Sequence, residues 1–316
     1  MGVIFNSNKS IVTDKLVWGV DAGNPRSYAR PSNAGVGATH WKDISSSDYS
    51  ESDIYGNFTK RKELYDHDCV LENSNIANKL FNDHGAASYM NGGENNPNGD
   101  PRSSTADRAR VLLRGTSSAD RNPDLTGIIC ANTPPITFLS WIYQPSGDAS
   151  QTEAGIIQWR QSGTYYYTAT RTGIGFDSSA TYLHYSWNPG LGSQSDWSPT
   201  QEVNHTTNLT IPNNEWIQVA TVITSTEGKT YLCRASGTST DTNTTTHSTW
   251  RVYDEDGNDE YSWDPELYLN LMVWQKDYAG ENEFRGYMAG AFIYHKALSA
   301  DEIDQNFQVL KSRYID

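Results

Sequence analysis

Several kinds of chemistry are excluded by what this 316-residue chain lacks. Its three cysteines, Cys69, Cys130 and Cys233, are odd in number and far apart, so they offer neither a disulfide framework nor a zinc spacing. They read as small apolar side chains in or near the core of a protein kept reduced. No stretch approaches the ~20 apolar residues of a membrane-spanning helix. The opening MGVIFNSNKSIVTDK has no apolar core of the length an export signal needs, and Asn6 stands where N-myristoylation needs Ser or Thr. The expectation is a protein with no signal peptide, made and folded in a reducing cytosol, with no membrane insertion. Positive charge is scarce: 24 Lys and Arg face 38 Asp and Glu, for a net charge of −14. That argues against nucleic acid and anionic membrane as partners, since phosphate binding needs a positive surface. The histidines His40, His67, His84, His184, His205, His247 and His295 show no HxH or HExxH spacing. Neither a GxSxG elbow nor a GxxxxGK[ST] loop occurs.

Aromatic residues, at 12%, are plentiful in a chain only 36% hydrophobic. A core built on Trp and Tyr suits sheets better than helices. Strand-like runs are KLVWGVDAG (15–23), ITFLSWIYQ (136–144), EAGIIQWRQ (153–161), TYYYTATRTGIGF (164–176) and ATYLHYSW (180–187). EWIQVATVITS (215–225) and KTYLCRASG (229–237) form a hairpin around Glu227 and Gly228. LYLNLMVWQ (267–275) and RGYMAGAFIYHKAL (285–298) complete the set. In ATYLHYSW, Leu183, Tyr185 and Trp187 share one face. Short strands joined by polar turns, with few helical patterns, indicate an antiparallel sandwich. Residues 83–108 are dominated by Asn, Gly, Pro and Asp and read as loop; GTSSAD and SGTSTDTN read as turns. The expected organisation is an N-terminal arm, 1–15, and one domain, 16–316, with a loop-rich insertion at about 46–135.

The ending GYMAGAFIYHKALSADEIDQNFQVLKSRY passes from strand to helix. Ala289, Gly290 and Ala291 let another layer approach. Ser299 and Glu302 have capping-box spacing, and Leu298 and Ile303 flank the cap as a hydrophobic staple. Asp301 and Glu302 at the start, and Lys311 and Arg313 at the end, suit the helix dipole. Ile303, Phe307, Leu310 and Tyr314 recur at helical spacing, which predicts a short helix docked back on the sheets.

This ending resembles the C-terminal signature of concanavalin A-like, laminin-G-type jelly-roll domains, G-x-I-x-x-x-x-I-Y-x-R-A-L-S-x-x-E-I-x-x-x-F, through Gly290, Phe292, Tyr294, Ala297, Leu298, Ser299, Glu302, Ile303 and Phe307. VWGVDAGNPRSY…THWKDIS (17–45) is similar to the opening of such domains in structural proteins of tailed bacterial viruses. NEWIQVATVI (214–223) with YLCRASG (231–237) resembles the family's hairpin. The resemblance implies an all-β, two-sheet antiparallel jelly-roll sandwich with long loop insertions and a short C-terminal helix. That fold hosts lectins, adhesins, glycosidases and structural modules alike.

The glycosidase reading meets an obstacle. Enzymes of this fold resemble one another in a strand bearing E-x-D-x-x-E, whose two carboxylates flank the scissile bond. ESDIYGN (51–57) lacks the second Glu, and in EIDQNF (302–307) Glu302 is explained by capping. The expectation is therefore no catalytic residues and no enzyme. For metal, DEDGNDE sets Asp254, Asp256, Asn258 and Glu260 at alternate positions around Gly257, like half a calcium loop. Gly257 comes too early and the closing Glu is missing, so a solvated acidic turn is preferred, with no cofactor expected and Ca²⁺ as the alternative. Trp197, in a polar loop, could stack on a sugar face or pin its own loop, and the latter is preferred. The apolar Val3, Ile4 and Phe5 are candidates for an assembly contact.

The expected function is that of a virion structural protein of a tailed bacteriophage, displayed on the particle exterior as capsid decoration, tail or fibre component. Its partners would be other virion proteins, in a symmetric homo-oligomer or lattice. The alternative is a glycan-binding adhesin module for host-surface polysaccharide, and the third reading a glycoside hydrolase.

Overall fold

The computed structural model describes residues 10–24, 27, 40–41, 69–71, 81–84, 87–91, 109–114, 135–146, 154–162, 171–177, 179, 181–187, 203–247, 266–271, 273–274, 282–284 and 286–315. Two antiparallel eight-stranded sheets and one C-terminal helix make the architecture. The first sheet contains β1 (Leu16–Asp21), β4 (Phe81–His84), β5 (Ala87–Asn91), β7 (Ile136–Tyr143), β12 (Trp216–Ile223), β13 (Gly228–Arg234), β14 (Gly237–Asn243) and β18 (Tyr287–Tyr294), in the order β14-β13-β12-β7-β18-β5-β4. β1 also pairs with β18, further along the strand than β5. The second contains β2 (His40–Trp41), β3 (Cys69–Leu71), β6 (Ala109–Arg114), β8 (Gly155–Ser162), β9 (Arg171–Phe176), β10 (Tyr182–Trp187), β11 (Val203–Thr210) and β15 (Glu266–Leu271), in the order β11-β10-β9-β8-β15-β6-β3-β2. β16 (Val273–Trp274) and β17 (Asn282–Glu283) form a separate pair.

Why β7 and β12 read as unbroken apolar runs follows from their place. The first sheet is covered on both faces, so both sets of alternating side chains are buried. Phe138 and Ile142 of β7, with Ile217, Val219 and Ile223 of β12, face the second sheet and meet Ile174, Phe176, Leu183, Tyr185 and Trp187. Leu139 and Trp141, with Trp216, Ala220 and Val222, face the other way and meet the helix. That helix, α1 (Ala300–Tyr314), begins with the expected capping box. Glu302 N donates to Ser299 Oγ at 3.3 Å, and Ser299 N donates to Glu302 Oε2 at 2.9 Å. Ile303, Phe307, Leu310 and Tyr314 are all buried, and Phe307 stacks on Trp141 with ring centroids 5.3 Å apart. Among the described residues no helix is long and apolar enough to cross a membrane.

The opening motif DAGN is a turn tied to the end of α1. Gly23 N donates to Asp21 Oδ1 at 2.9 Å, Asp21 N donates to Ser27 Oγ at 3.0 Å, and Arg313 Nη1 donates to Asp21 Oδ2 at 2.6 Å. The Asp21 carboxylate is buried, so this is an ion pair at least half removed from water.

Three stretches depart from the sequence reading. SGTSTDTN, read as a turn, carries β14. It is an edge strand largely exposed on both faces, so no apolar alternation marks it. VNHTTNLT, which is equally polar, is β11, the edge strand of the second sheet. Within 83–108, read as loop, Ala87–Asn91 forms β5 and pairs with both β4 and β18. In these strands the backbone partner, not side-chain pattern, sets the conformation.

Candidate functional site

The second sheet has one face on the inter-sheet core, set by Ile157, Ile174, Tyr185 and Leu271. Side chains alternate along a strand, so the next residue of each strand lies on the outer face. The register aligns Asn204, Ser186, Gly173 and Gln158 in one such row. Gly173 belongs there for a steric reason. Its φ is +157°, and a Cβ would come within 2.0 Å of the Ile157 carbonyl oxygen. Gly173 therefore contributes no side chain between Gln158 and Ser186.

Both flanking residues are 0% exposed, yet Gln158 Oε1, Gln158 Nε2 and Ser186 Oγ have no hydrogen-bond partner. A buried amide without partners costs free energy, and nearly all buried polar atoms find one. Gln218 in β12 sets the standard within the same molecule. It is also 0% exposed, but its Oε1 accepts from Trp141 Nε1 at 3.0 Å and its Nε2 donates to the Ile303 carbonyl at 2.9 Å. Gln218 is structural glue between sheet and helix, whereas Gln158 and Ser186 hold open hydrogen-bonding capacity. Beside them on the same face, half-buried His184 lies 3.4 Å from Thr206 Oγ1 through its Nδ1.

A second polar cluster clasps the edges of the two sheets. His205 Nε2 of β11 lies 2.7 Å from Asp241 Oδ1 of β14, and Asp241 Oδ2 accepts from the backbone and side-chain nitrogens of Asn208 at 3.1 and 3.0 Å. Burial pushes the Asp241 carboxyl up, but the bonds from His205 and Asn208 together hold it below the ordinary value. Behind this pair, Asn243 Nδ2 donates to the Tyr185 hydroxyl at 3.3 Å. The same hydroxyl lies 3.3 Å from His247 Nε2. His247 Nδ1, on the other side of the ring, is buried without a hydrogen-bond partner. Gly228 makes room, since a Cβ there would fall 2.1 Å from the Tyr185 hydroxyl. Burial raises the Tyr185 pKa and lowers that of His247, so near neutral pH both are uncharged. A fully buried phenol kept protonated is a hydrogen-bond donor, not a nucleophile, and the cluster's chemistry is that of a clasp.

Asp254, Asp256, Asn258 and Glu260, then Trp197, and Val3, Ile4 and Phe5 lie outside the described residues. Among the described residues no group of three or more His, Cys, Asp or Glu is placed to hold a metal. Cys233 is buried and free, and burial pushes its thiol pKa up. Gln158 was missed, although GIIQWRQ carries a signal for it: Gln158 and Arg160 alternate with apolar residues in a strand otherwise suited to the core.

No protein-family model and no curated protein sequence matches the chain. Solved structures do. Trypanosoma rangeli sialidase in complex with sialic acid is similar at 10% identity and a TM-score of 0.50, over 97% of this chain and 35% of that one. The same sialidase with 2,3-difluorosialic acid, a covalent intermediate, gives 10% identity and a TM-score of 0.50, over 99% and 36%. The CBM40 of Ruminococcus gnavus IT-sialidase, bound to α2,3-sialyllactose, gives 10% identity and a TM-score of 0.40, over 61% and 93%, a looser likeness. The chain thus spans about a third of the length of the trypanosomal sialidase it matches. At this identity the likeness is one of fold, and it agrees with the two-sheet all-β architecture expected from sequence. One expectation is corrected. The chain was expected not to be an enzyme, but the structures whose fold it shares are enzymes, and that finding overturns it.

Proposed function

We propose that the chain is a glycan-recognising β-sandwich whose recognition site lies on the side of the second sheet turned away from the inter-sheet core, at the buried Gln158 and Ser186. The observation that carries this is the open hydrogen-bonding capacity of Gln158 and Ser186, on either side of a glycine that adds no side chain of its own between them. An amide and a hydroxyl together both donate and accept, which is what a sugar's vicinal hydroxyls require. The fold likeness to a sialidase solved with sialic acid supports the same direction. Binding of the full chain to a broad array of host-surface and bacterial saccharides tests it, with Q158L as the control. Binding by the parent and its loss in Q158L are expected, and an array with no ligand at all sinks the reading. Incubating any saccharide that binds with the protein, and following its reducing ends, tests whether it is also cleaved.

The setting we propose is the exterior of a tailed bacterial virus, as part of capsid, tail or fibre, beside other virion proteins. Its support is the resemblance of residues 17–45 to the opening of such virion domains. Labelling the protein in intact particles for imaging tests it, and particles without label would remove this setting while leaving the glycan reading intact.

A further inference from the structure

We infer that β14 is a docking edge and that its partner is β14 of a second copy of this chain, joined antiparallel about a two-fold axis at Thr240. β14 is the end strand of the first sheet, and among the described residues nothing pairs with its far side. It contributes little to either core: Gly237, Thr238, Ser239, Thr240 and Thr242 are all exposed. Yet it is firmly placed. It registers with β13 without a break, from Gly228 opposite Asn243 to Arg234 opposite Gly237. Asp241 and Asn243 fasten it to the second sheet through His205, Asn208 and Tyr185.

The hairpin fixes which backbone groups the edge presents. Arg234 and Gly237 flank a two-residue turn, so the Gly237 N–H points at β13, and every second residue after it does the same. Thr238, Thr240 and Thr242 therefore turn their N–H and C=O groups to the free edge. Such an edge is a template for another strand, and proteins usually blunt it with Lys, Pro or a bulge. β11, the edge of the second sheet, has its register with β10 broken between Tyr182 and His184. β14 has no such break and no Lys, Arg or Pro, and it carries the strand-former Thr at every second position.

Charge selects the occupant. Two copies of a chain with a net charge of −14 repel, so they can meet only where charge is low. The seven residues of β14 hold one charge, Asp241. An antiparallel pairing that keeps all seven matched must have its axis at Thr240. Thr240 then faces its own copy, Thr238 faces Thr242, and Ser239 faces Asp241. No carboxylate meets another, and each Asp241 meets a hydroxyl that can donate to it. Thr–Thr and opposed polar pairs of this kind stabilise antiparallel ladders, whereas like charges directly opposite would not. The strand is thus complementary to itself, which is what a two-fold interface requires.

Sedimentation velocity of the full chain from about 1 to about 200 µM tests this, because association of copies follows concentration. A reversible shift from monomer to dimer is expected. T240P removes the N–H at the axis and should weaken association at least tenfold; the fold tolerates it because that N–H faces away from β13. S239D sets a carboxylate opposite Asp241 and should weaken association as much, whereas S239K sets an ammonium there and should not weaken it. Cysteine variants read the register. Under mild oxidation T240C alone and the double variant T238C/T242C should form covalent dimers, and T238C alone should form no more than the parent. A parent that stays monomeric across the range, a dimer indifferent to T240P and S239D, or T238C crosslinking as readily as T240C would overturn the inference.

Discussion

Replacing Gln158 with leucine should make the protein more stable and less able to bind, and both effects can be sized. The side chain is fully buried, and neither its amide nitrogen nor its carbonyl oxygen has a partner. Burying an amide in that state costs about 1–3 kcal/mol on protein mutational scales. Leucine has a similar volume and no polar atom to desolvate, so Q158L should gain about 1–2 kcal/mol after some loss to imperfect packing. Gln218 is the internal control, because the same substitution there orphans the Trp141 indole N–H and a carbonyl bond at Ile303. Q218L should lose at least about 1–3 kcal/mol. Urea unfolding reads both: the midpoint should rise in Q158L and fall in Q218L, with the slope unchanged in each. Heating should show the same signs, at roughly 2–4 °C per kcal/mol for a domain of this order of size. Saccharide affinity should fall at least tenfold in Q158L despite its greater stability. A protein that gives up stability at a binding surface in this way is one whose polar groups are kept for a partner. If Q158L loses 1 kcal/mol or more, as Q218L does, the Gln158 amide is already satisfied, for instance by a buried water. The argument from open hydrogen-bonding capacity would then fail.

Other consequences are local. S299A removes the acceptor of the capping box and should cost about 1 kcal/mol, while I303A, at 1% exposure, should cost about 2–4 kcal/mol; unchanged denaturant midpoints in both would mean α1 is not docked. R313A strands the buried Asp21 carboxylate and should cost about 2–4 kcal/mol, below the range for a fully buried pair because the Arg313 side chain is 32% exposed; D21N/R313A together should cost less than the two single changes summed. The His247 pKa is held below the ordinary 6.5, chiefly by burial, with the Thr224 carbonyl pulling the other way. The folded protein then takes up this proton less readily than the unfolded chain. Stability from His247 is complete above about pH 6.5 and declines as the pH falls below that value toward the lowered folded pKa. Urea midpoints compared at pH 7.5 and 5.5 should show the decline, and H247F should flatten it; equal slopes in parent and variant would place the acid sensitivity elsewhere.

How much of this was legible depended on which side of each strand carried the information. Strands β7, β12 and β18 are buried on both faces, so their apolar runs announced them. The capping residues Ser299 and Glu302 announced α1 as clearly, because a cap is a short-range interaction written in adjacent residues. β11 and β14 were not legible as strands. Each is an edge strand with polar side chains, held by hydrogen bonds to a neighbour, and a neighbour's position is not local information. The site suffered from the same limit. Gln158 and Ser186 are 28 positions apart by their numbering, and only the register of three strands puts them in one row. Nothing in either residue's neighbourhood distinguishes Gln158 from Gln218, although one is satisfied and the other is not. The His205–Asp241 clasp is likewise a product of topology, since it joins the edge strands of different sheets.

The two sequence motifs most easily recognised turn out to be two halves of one contact. Asp21 ends β1, Arg313 lies in the last turn of α1, and their ion pair joins the opening DAGN turn to the closing helix. Between them β1 and β18 run antiparallel, from Leu16 opposite Tyr294 to Asp21 opposite Gly290. Asp21 must be acidic because Arg313 and the Gly23 N–H both need its carboxylate, and Ser299 must accept a hydrogen bond because α1 starts there. These requirements belong to closing the first sheet under its helix, and any chain that closes a sandwich this way would meet them whatever its second sheet does. The resemblance therefore reports on the covered face of one sheet. The recognition proposed here lies on the other sheet, where the buried polar atoms of Gln158 and Ser186 make no hydrogen bond that the fold needs. A residue that costs stability where it stands, and is not needed to hold the sheets together, is the one most directly shaped by what the protein binds.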